Sequence, residues 1–341
     1  MDTVHGRVNL MATAQPDLEL AGRLRQMIGA YQLSQAIHVA AVLGVADLLV
    51  DGPVDSNRLA AATGVPEEPL RRLLRQLAEY EIFAEPAPKH FALTPLASLL
   101  RNGTPGSLRP FAVMHGQDWT WGPWGRLLDS VRTGRPAFDL IYEMPFFGHL
   151  QRDPDARAVF QAAMQGANAR VRVAEQYDFP PGACVADIGG GQGGLLADLL
   201  RRYPDARGVL FERPAVLAAA REQLGAAGVL DRCETVAGDF FESVYAGADV
   251  YVLSQVLHDW DDQEAIAILA NCRNAMSSAG TLLVVERIAR GQAPRRGLLA
   301  DLNMMVLLGG RERSRRSTRR CCTRPASGWH AYWTWTTGSA C

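Results

Sequence analysis

From Leu18 to Leu49, apolar side chains recur every three or four residues, with Met27, Ile28, Tyr31, Leu33, Ile37, Val39, Val42 and Leu43 on the pattern. That period predicts helix, punctuated by Gly44 and by Gly52-Pro53. The apolar positions spread beyond one stripe, as in a helix covered on more than one side, so the stretch reads as a dimerisation element. Residues 1–16 carry no such pattern and read as disordered. VDSNRLAAATGV predicts a short helix ending at Gly64, and PEEPLRRLLRQLAEYEIF a second with Leu70, Leu73, Leu74 and Leu77 on one face. KHFALTPLA then alternates like a strand. Helix, turn, helix and wing in succession make a winged-helix order. Residues 105–180 read as mostly helical, with loops at Gly103–Gly106 and Gly134-Arg135-Pro136.

Beyond Cys184 the period changes. Apolar runs in CVADI, RGVLFE, CETVAGDFF, DVYVLSQVL and GTLLVVERI alternate with helical patterns, among them the amphipathic DQEAIAILANCRNAM. Strands that alternate with helices predict a parallel sheet. The first run stops at a glycine cluster, Gly189 to Gly194, and Leu195, Leu196, Leu199 and Leu200 follow at helical spacing. Strand, tight turn and helix form the nucleotide-cradling corner of a doubly wound α/β domain. Glycines there let the backbone approach a ligand with no Cβ in the way. Asp187 lies two residues before the first glycine. A carboxylate is unhelpful beside a pyrophosphate and suits a ligand with an ammonium group and no phosphate, such as S-adenosylmethionine (SAM). This weighs against an NAD-dependent oxidoreductase, which the glycine spacing alone would allow. Ligands of such sheets bind at the carboxyl ends of the strands. Asp187, Glu212, Asp239, Ser254, His258 and Glu286 all fall at or just beyond those ends. Glu212 follows the glycines by about twenty residues, the usual place for a carboxylate that holds ribose hydroxyls.

Composition narrows the partners. The chain has 341 residues, 48% hydrophobic and 21% charged, with a formal net charge of −1, so no global field favours nucleic acid or an acidic membrane. Arg71, Arg72 and Arg75 in the winged-helix stretch stand among Glu67, Glu68, Glu79 and Glu81, which argues against a basic footprint on DNA. No apolar run reaches the ~20 residues of a membrane span, and the N-terminus has no signal-peptide core. Cys184, Cys233 and Cys272 sit in apolar patterns and read as reduced core residues. These features predict a cytoplasmic protein with no membrane and no nucleic-acid partner. HDWDD lacks cysteine partners for a metal, and Asp259 or Asp261 reads as a helix N-cap; no metal is expected.

DIGGGQGG, FERP, GDFFE, LSQVLHDWDD, LLVVERI and GGRER, in this order and spacing, resemble the O-methyltransferases of the caffeate/hydroxyindole type, whose bacterial relatives act on aromatic natural products. The resemblance covers roughly residues 18–314. It implies an α/β fold, a Rossmann-like class I methyltransferase domain preceded by a mainly helical, winged-helix-containing dimerisation domain, and a homodimer through the N-terminal helices. The implied cofactor is SAM, with S-adenosylhomocysteine as product. Gly189 and Gly191 would approach its methionyl end together with Asp187, and Ser254 would contact the methionine portion. Glu212 would hold the ribose, Asp239 and Phe240 the adenine, Trp260 would close over the adenine side, and Arg157 would reach the carboxylate. His258 matches the catalytic base, flanked by Glu286 and Glu312. A phenol has a pKa near ~10, so a neutral imidazole can usefully take its proton during transfer. Asn303 and Met304 match acceptor-pocket positions. Trp119, Phe146, Phe147 and Met164 read either as core or as walls for a flat aromatic acceptor. The presence of His258 favours plain methylation.

After Ser314 the resemblance stops. The tail, residues 315–341, shows no helical or alternating period, and Arg311 to Arg324 holds seven arginines and one glutamate. The plain reading is a solvated basic tail; the second is a frameshift. With GC-rich codons for Arg316 through Ser339, a second frame can give AEYAALLHAAGFRLARVLDLDDGFS, an amphipathic helix, a turn glycine and a strand. The expected organisation is a disordered 1–16, a dimerisation domain over 17–105, helices and substrate pocket over 106–180, a SAM domain over 181–314, and the atypical tail. Two rival functions remain at this point, a winged-helix DNA-binding regulator with a sensor domain and an inactive methyltransferase remnant.

Overall fold

The computed structural model describes residues 18–167, 173, 177–286, 295–322 and 331–333. The expected disorder of 1–16 and much of the tail lie outside the described residues. The chain divides into two compact units, one ending at Leu100 and one starting at Arg101.

The first unit holds α1 (Leu18–Val42), α2 (Val45–Leu48), β1 (Val54–Asp55), α3 (Ser56–Thr63), α4 (Glu67–Glu79), β2 (Phe83–Ala87), β3 (His90–Leu93) and α5 (Pro95–Ser98). Asp55 starts α3 by accepting the Asn57 N–H at 2.9 Å, and Gly64 ends it in the left-handed region, where a glycine costs least. Leu70, Leu74 and Leu77 bury one face of α4. The three strands form an antiparallel sheet in the order β1-β3-β2. The sequence pattern runs the second helix on through Phe83. In the structure it stops at Glu79, because Glu81 adopts a positive φ of 56° and sends the chain into β2. Arg71, Arg72 and Arg75 each lie beside a carboxylate, those of Glu67, Glu68 and Glu85, at 3.4 to 3.6 Å. Along α1, Leu24, Met27 and Ile28 are all more than half exposed, an apolar face of the kind that marks an interaction surface.

The second unit opens with α6 (Arg109–His115), α7 (Asp118–Trp124), α8 (Leu127–Thr133), α9 (Ala137–Tyr142), α10 (Phe146–Arg152) and α11 (Pro154–Ala167). The alternating half follows as β4 (Cys184–Ile188), α12 (Gly194–Arg202), β5 (Arg207–Glu212), α13 (Pro214–Ala226), β6 (Cys233–Ala237), β7 (Val250–Ser254), α14 (Asp262–Ala275), β8 (Thr281–Val285), α15 (Arg295–Leu307), α16 (Arg315–Cys322) and β9 (Ala331–Trp333). Six strands form one sheet in the order β6-β5-β4-β7-β8-β9, every pair parallel. The order reverses at β4, which places the crevice above the carboxyl ends of β4 and β7. Two cores flank the sheet. Val185, Leu210 and Val252 face α12 and α13, and Ala186, Ile188, Tyr251 and Leu253 face α14.

The tail differs from its sequence reading. Ser314 caps a helix there by accepting the Ser317 N–H at 3.1 Å, and Thr318 and Cys321, three residues apart, are buried. The basic composition hides this because only two positions of the turn carry the buried face. A three-residue strand then adds to the sheet edge beside β8.

Candidate active site

The glycine turn is set by backbone conformation and, at Gly189, by close contacts as well. Gly189 and Gly191 have positive φ of 69° and 58°. A Cβ on Gly189 would stand 3.2 Å from Val256 Cγ2 and 3.3 Å from Phe240 Cε1. Glu212, at the end of β5, accepts the Gly191 N–H at 3.0 Å and the Arg213 N–H at 2.7 Å, and burial raises its pKa. Asp239 accepts the Phe241 N–H at 2.9 Å and pairs with Arg213 at 3.3 Å. Trp260 ties the two halves of the crevice together. It stacks on Phe147 with centroids 5.5 Å apart and meets Phe240 and Phe241 edge-on at 5.8 and 4.7 Å.

His258 sits where β7 ends. Gln255 takes a positive φ of 56°, a left-handed position uncommon for its residue type, and turns the chain from Ser254 into a single 3-10 turn, Leu257–Asp259. Glu286, just past β8, accepts the Val256 and Leu257 N–H groups on one oxygen, at 3.0 and 2.7 Å. Its other oxygen is 3.5 Å from His258 Nδ1, as is Glu312 Oε1. His258 Nε2 faces Asp259 at 3.2 Å. Separations of 3.5 Å are long for hydrogen bonds, as is common in catalytic groups before a substrate binds. Burial alone would push the imidazole down. The carboxylates of Glu286 and Asp259 outweigh it and hold His258 well above its ordinary range. Burial also pushes Glu286 up to about 7, against the opposing pull of the His258 imidazole. Among the described residues no cluster has metal-binding geometry. Asp261, not Asp259, is the N-cap, in a reciprocal capping box with Glu264.

Several sequence-predicted residues sit elsewhere than the motif suggests. Strand alternation turns Asp187 beneath the glycine turn, 1% exposed, where a Cβ on Gly190 would run into its carboxylate. Among the described residues neither carboxylate oxygen has a hydrogen-bond partner, and burial pushes the group up to about 7. It supports the turn from below and does not open on the crevice. The Arg157 guanidinium donates to the Leu150 and Gln151 carbonyls at 3.0 and 3.2 Å, closing the end of α10. Trp119 and Phe146 are core, 7% and 4% exposed, while Phe147 and Met164 are half-buried beside them. Asn303 on α15 accepts the Trp124 indole N–H at 3.0 Å, and Met304 is half-buried on the same helix. Sequence reasoning missed Trp124, and it missed the amide pair Gln192–Gln161, which links the glycine turn to α11 at 2.8 Å. No local pattern announces partners 179 and 31 residues apart.

The sequence matches the O-methyltransferase domain family over residues 124–326 and the O-methyltransferase dimerisation domain over residues 25–103. The chain belongs to the O-methyltransferase family. Its relatives include the phenazine O-methyltransferase of Lysobacter antibioticus, 48% identical over 298 residues, spanning 86% of this chain and 87% of that protein. The structure of a mitomycin 7-O-methyltransferase is similar with a TM-score of 0.85 at 39% identity, over 89% of this chain and 91% of that one. An O-methyltransferase from neocarzinostatin biosynthesis, solved with S-adenosylhomocysteine and 1,4-dihydroxy-2-naphthoic acid, is similar with a TM-score of 0.75 at 34% identity, over 85% and 88% of the two chains. This O-methyltransferase is a SAM-dependent enzyme, and its dimerisation domain makes it a homodimer. The crevice fits that cofactor. The turn keeps Gly189 bare of a side chain beside the Phe240 ring, and the Glu212 carboxylate, held by the Gly191 N–H, is of the kind that takes ribose hydroxyls.

Proposed function

We propose that the enzyme methylates a phenolic or enolic hydroxyl of an aromatic small molecule in natural-product biosynthesis, with His258 as general base. When bound, SAM supplies a methyl group already activated on a sulfonium. The chain's own task is to position that group and to manage one proton. Gly189, Gly191 and Ser254 would hold the methionyl end, Glu212 the ribose, and Asp239, Phe240 and Trp260 the adenine. Neutral His258 takes the hydroxyl proton, and Glu286 and Glu312 orient the ring and stabilise the imidazolium that results. Asn303, Met304, Phe147 and Met164 would contact the acceptor. Relatives that act on a phenazine and on a naphthoate support a flat, fused-ring acceptor. We also place the enzyme in the cytoplasm. Burial pushes the free thiols of Cys233 and Cys272 up to about 11 and about 12, in keeping with inert reduced cysteines.

The observation that carries this reading is the single imidazole at a strand end whose Nδ1 faces two buried glutamates. The test is methyl transfer to a panel of hydroxynaphthoates and hydroxyphenazines, followed by mass spectrometry. Wild type is expected to methylate at least one, and His258→Gln to lose roughly 10²–10⁴ in kcat while still binding S-adenosylhomocysteine. Equal rates in the two proteins would remove the base assignment.

A further inference from the structure

We propose that Arg313 is the positioning residue of the active site: its buried guanidinium clamps the turn that carries His258 and so sets the imidazole against Glu286 and Glu312. The inference rests on His258 as the base.

The Arg313 side chain is 4% exposed. It donates through Nη1 to the Leu257 carbonyl and through Nη2 to the Trp260 carbonyl at 2.8 Å. Nε and Nη2 both reach Asp262 Oδ1, at 3.0 and 2.9 Å. One side chain therefore spans the turn from the residue before His258 to the first residue of α14. The neighbouring backbone adds to the hold. The Arg311 N–H donates to the His258 carbonyl at 2.9 Å, and a Cβ on Gly310 would run into that same carbonyl. On the opposite side Glu286 holds the turn's free N–H groups. Glu312, between the two arginines, is fixed by its own N–H to Asp301 at 2.8 Å. The segment that clamps the base thus also delivers one of its two orienting acids.

Burying a guanidinium is costly, and a chain needing only a cap for Leu257 and Trp260 has cheaper solutions. A planar fork has what a point charge lacks, several N–H donors at fixed mutual angles. It fixes three acceptors relative to one another and so fixes the ring between them. A displacement of about 1 Å at a catalytic group can cost about a hundredfold in rate.

The test measures kcat, the pH dependence of kcat/KM and calorimetric binding of S-adenosylhomocysteine in wild type, Arg313→Met, Arg313→Lys and His258→Gln. In Arg313→Met, binding is expected to stay within about threefold at one site per protomer, while kcat falls at least thirtyfold. The acid limb is expected to move to lower pH, because the ring loses the acids that raise it. The groups facing that ring are Asp259, Glu286 and Glu312. Lysine, with one donor centre, is expected to restore less than a tenth of the lost rate. A purely structural role would lower rate and binding stoichiometry together and leave the limb in place; that result, or full rescue by lysine, overturns the proposal. If Arg313→Met does not fold, Asp262→Asn, at a half-exposed helix start, weakens the same clamp. It is expected to lower kcat three- to tenfold with the limb displaced the same way, and a wild-type profile would overturn the proposal. His258→Gln separates the two claims. Wild-type turnover in it removes the base, whereas a wild-type Arg313→Met beside an inactive His258→Gln removes only the clamp.

Discussion

At the scale of single residues, ionisation is set by burial as much as by partners. The proposed base, His258, acts in its neutral form, and its carboxylate neighbours hold it well above 6.5. The rate is therefore expected to fall as pH drops through a value above the ordinary histidine range. A kcat/KM profile whose acid limb lies at 6.5 or below would contradict this. Among the described residues Asp187 has no hydrogen-bond partner, and burial raises it from 3.8 to about 7. A group that binds its proton more tightly when folded gives stability that is lost as pH rises through the folded value. Glu286 and His258 add to the same trend. Wild type should melt lower at pH 8 than at pH 5, and Asp187→Asn should narrow that gap by several degrees in differential scanning calorimetry. An unchanged gap would show that Asp187 carries no such burden.

At the scale of elements, the strands and the glycine turn were legible because each is a local pattern. RGVLFE is β5 residue for residue, and CVADI is β4. Glu212, Asp239, His258 and Glu286 could be placed because strand ends collect on one rim. What could not be read depends on side-chain direction or distant pairing. Asp187 lies at the right strand end, yet the two-residue alternation turns it under the glycines. Trp119 and Phe146 share the composition of pocket walls and are core. Arg313 was quoted within a motif, but its acceptors lie more than fifty residues earlier. The close approach of Gly310 to the His258 turn gives an element-scale prediction. Gly310→Ala forces a Cβ against the His258 carbonyl, and kcat should fall by at least about tenfold as the turn shifts. Full activity in that variant would mean the turn can move without cost to the chemistry.

At the scale of the whole molecule, the apolar face of α1 accounts for the dimerisation domain. Ile28→Asp, at a position 69% exposed in one chain, should convert dimers to monomers in analytical ultracentrifugation. The family match runs on to residue 326, beyond Ser314 where the motif resemblance stops. Among the described residues the sheet ends on a strand of three residues, a short edge beside β8. A chain with the second-frame sequence in place of the residues from Arg316 onward should melt at a higher temperature than this one; an equal or lower melting temperature would count against a frameshift. The central claim is a cofactor cradle built by the glycine turn and Glu212. It is tested most directly by calorimetric titration of S-adenosylhomocysteine into wild type and Glu212→Ala. The account predicts one site per protomer with micromolar affinity in wild type, weakened at least tenfold by the substitution. Equal affinity in the two proteins, or no binding by a folded wild-type dimer, would contradict it.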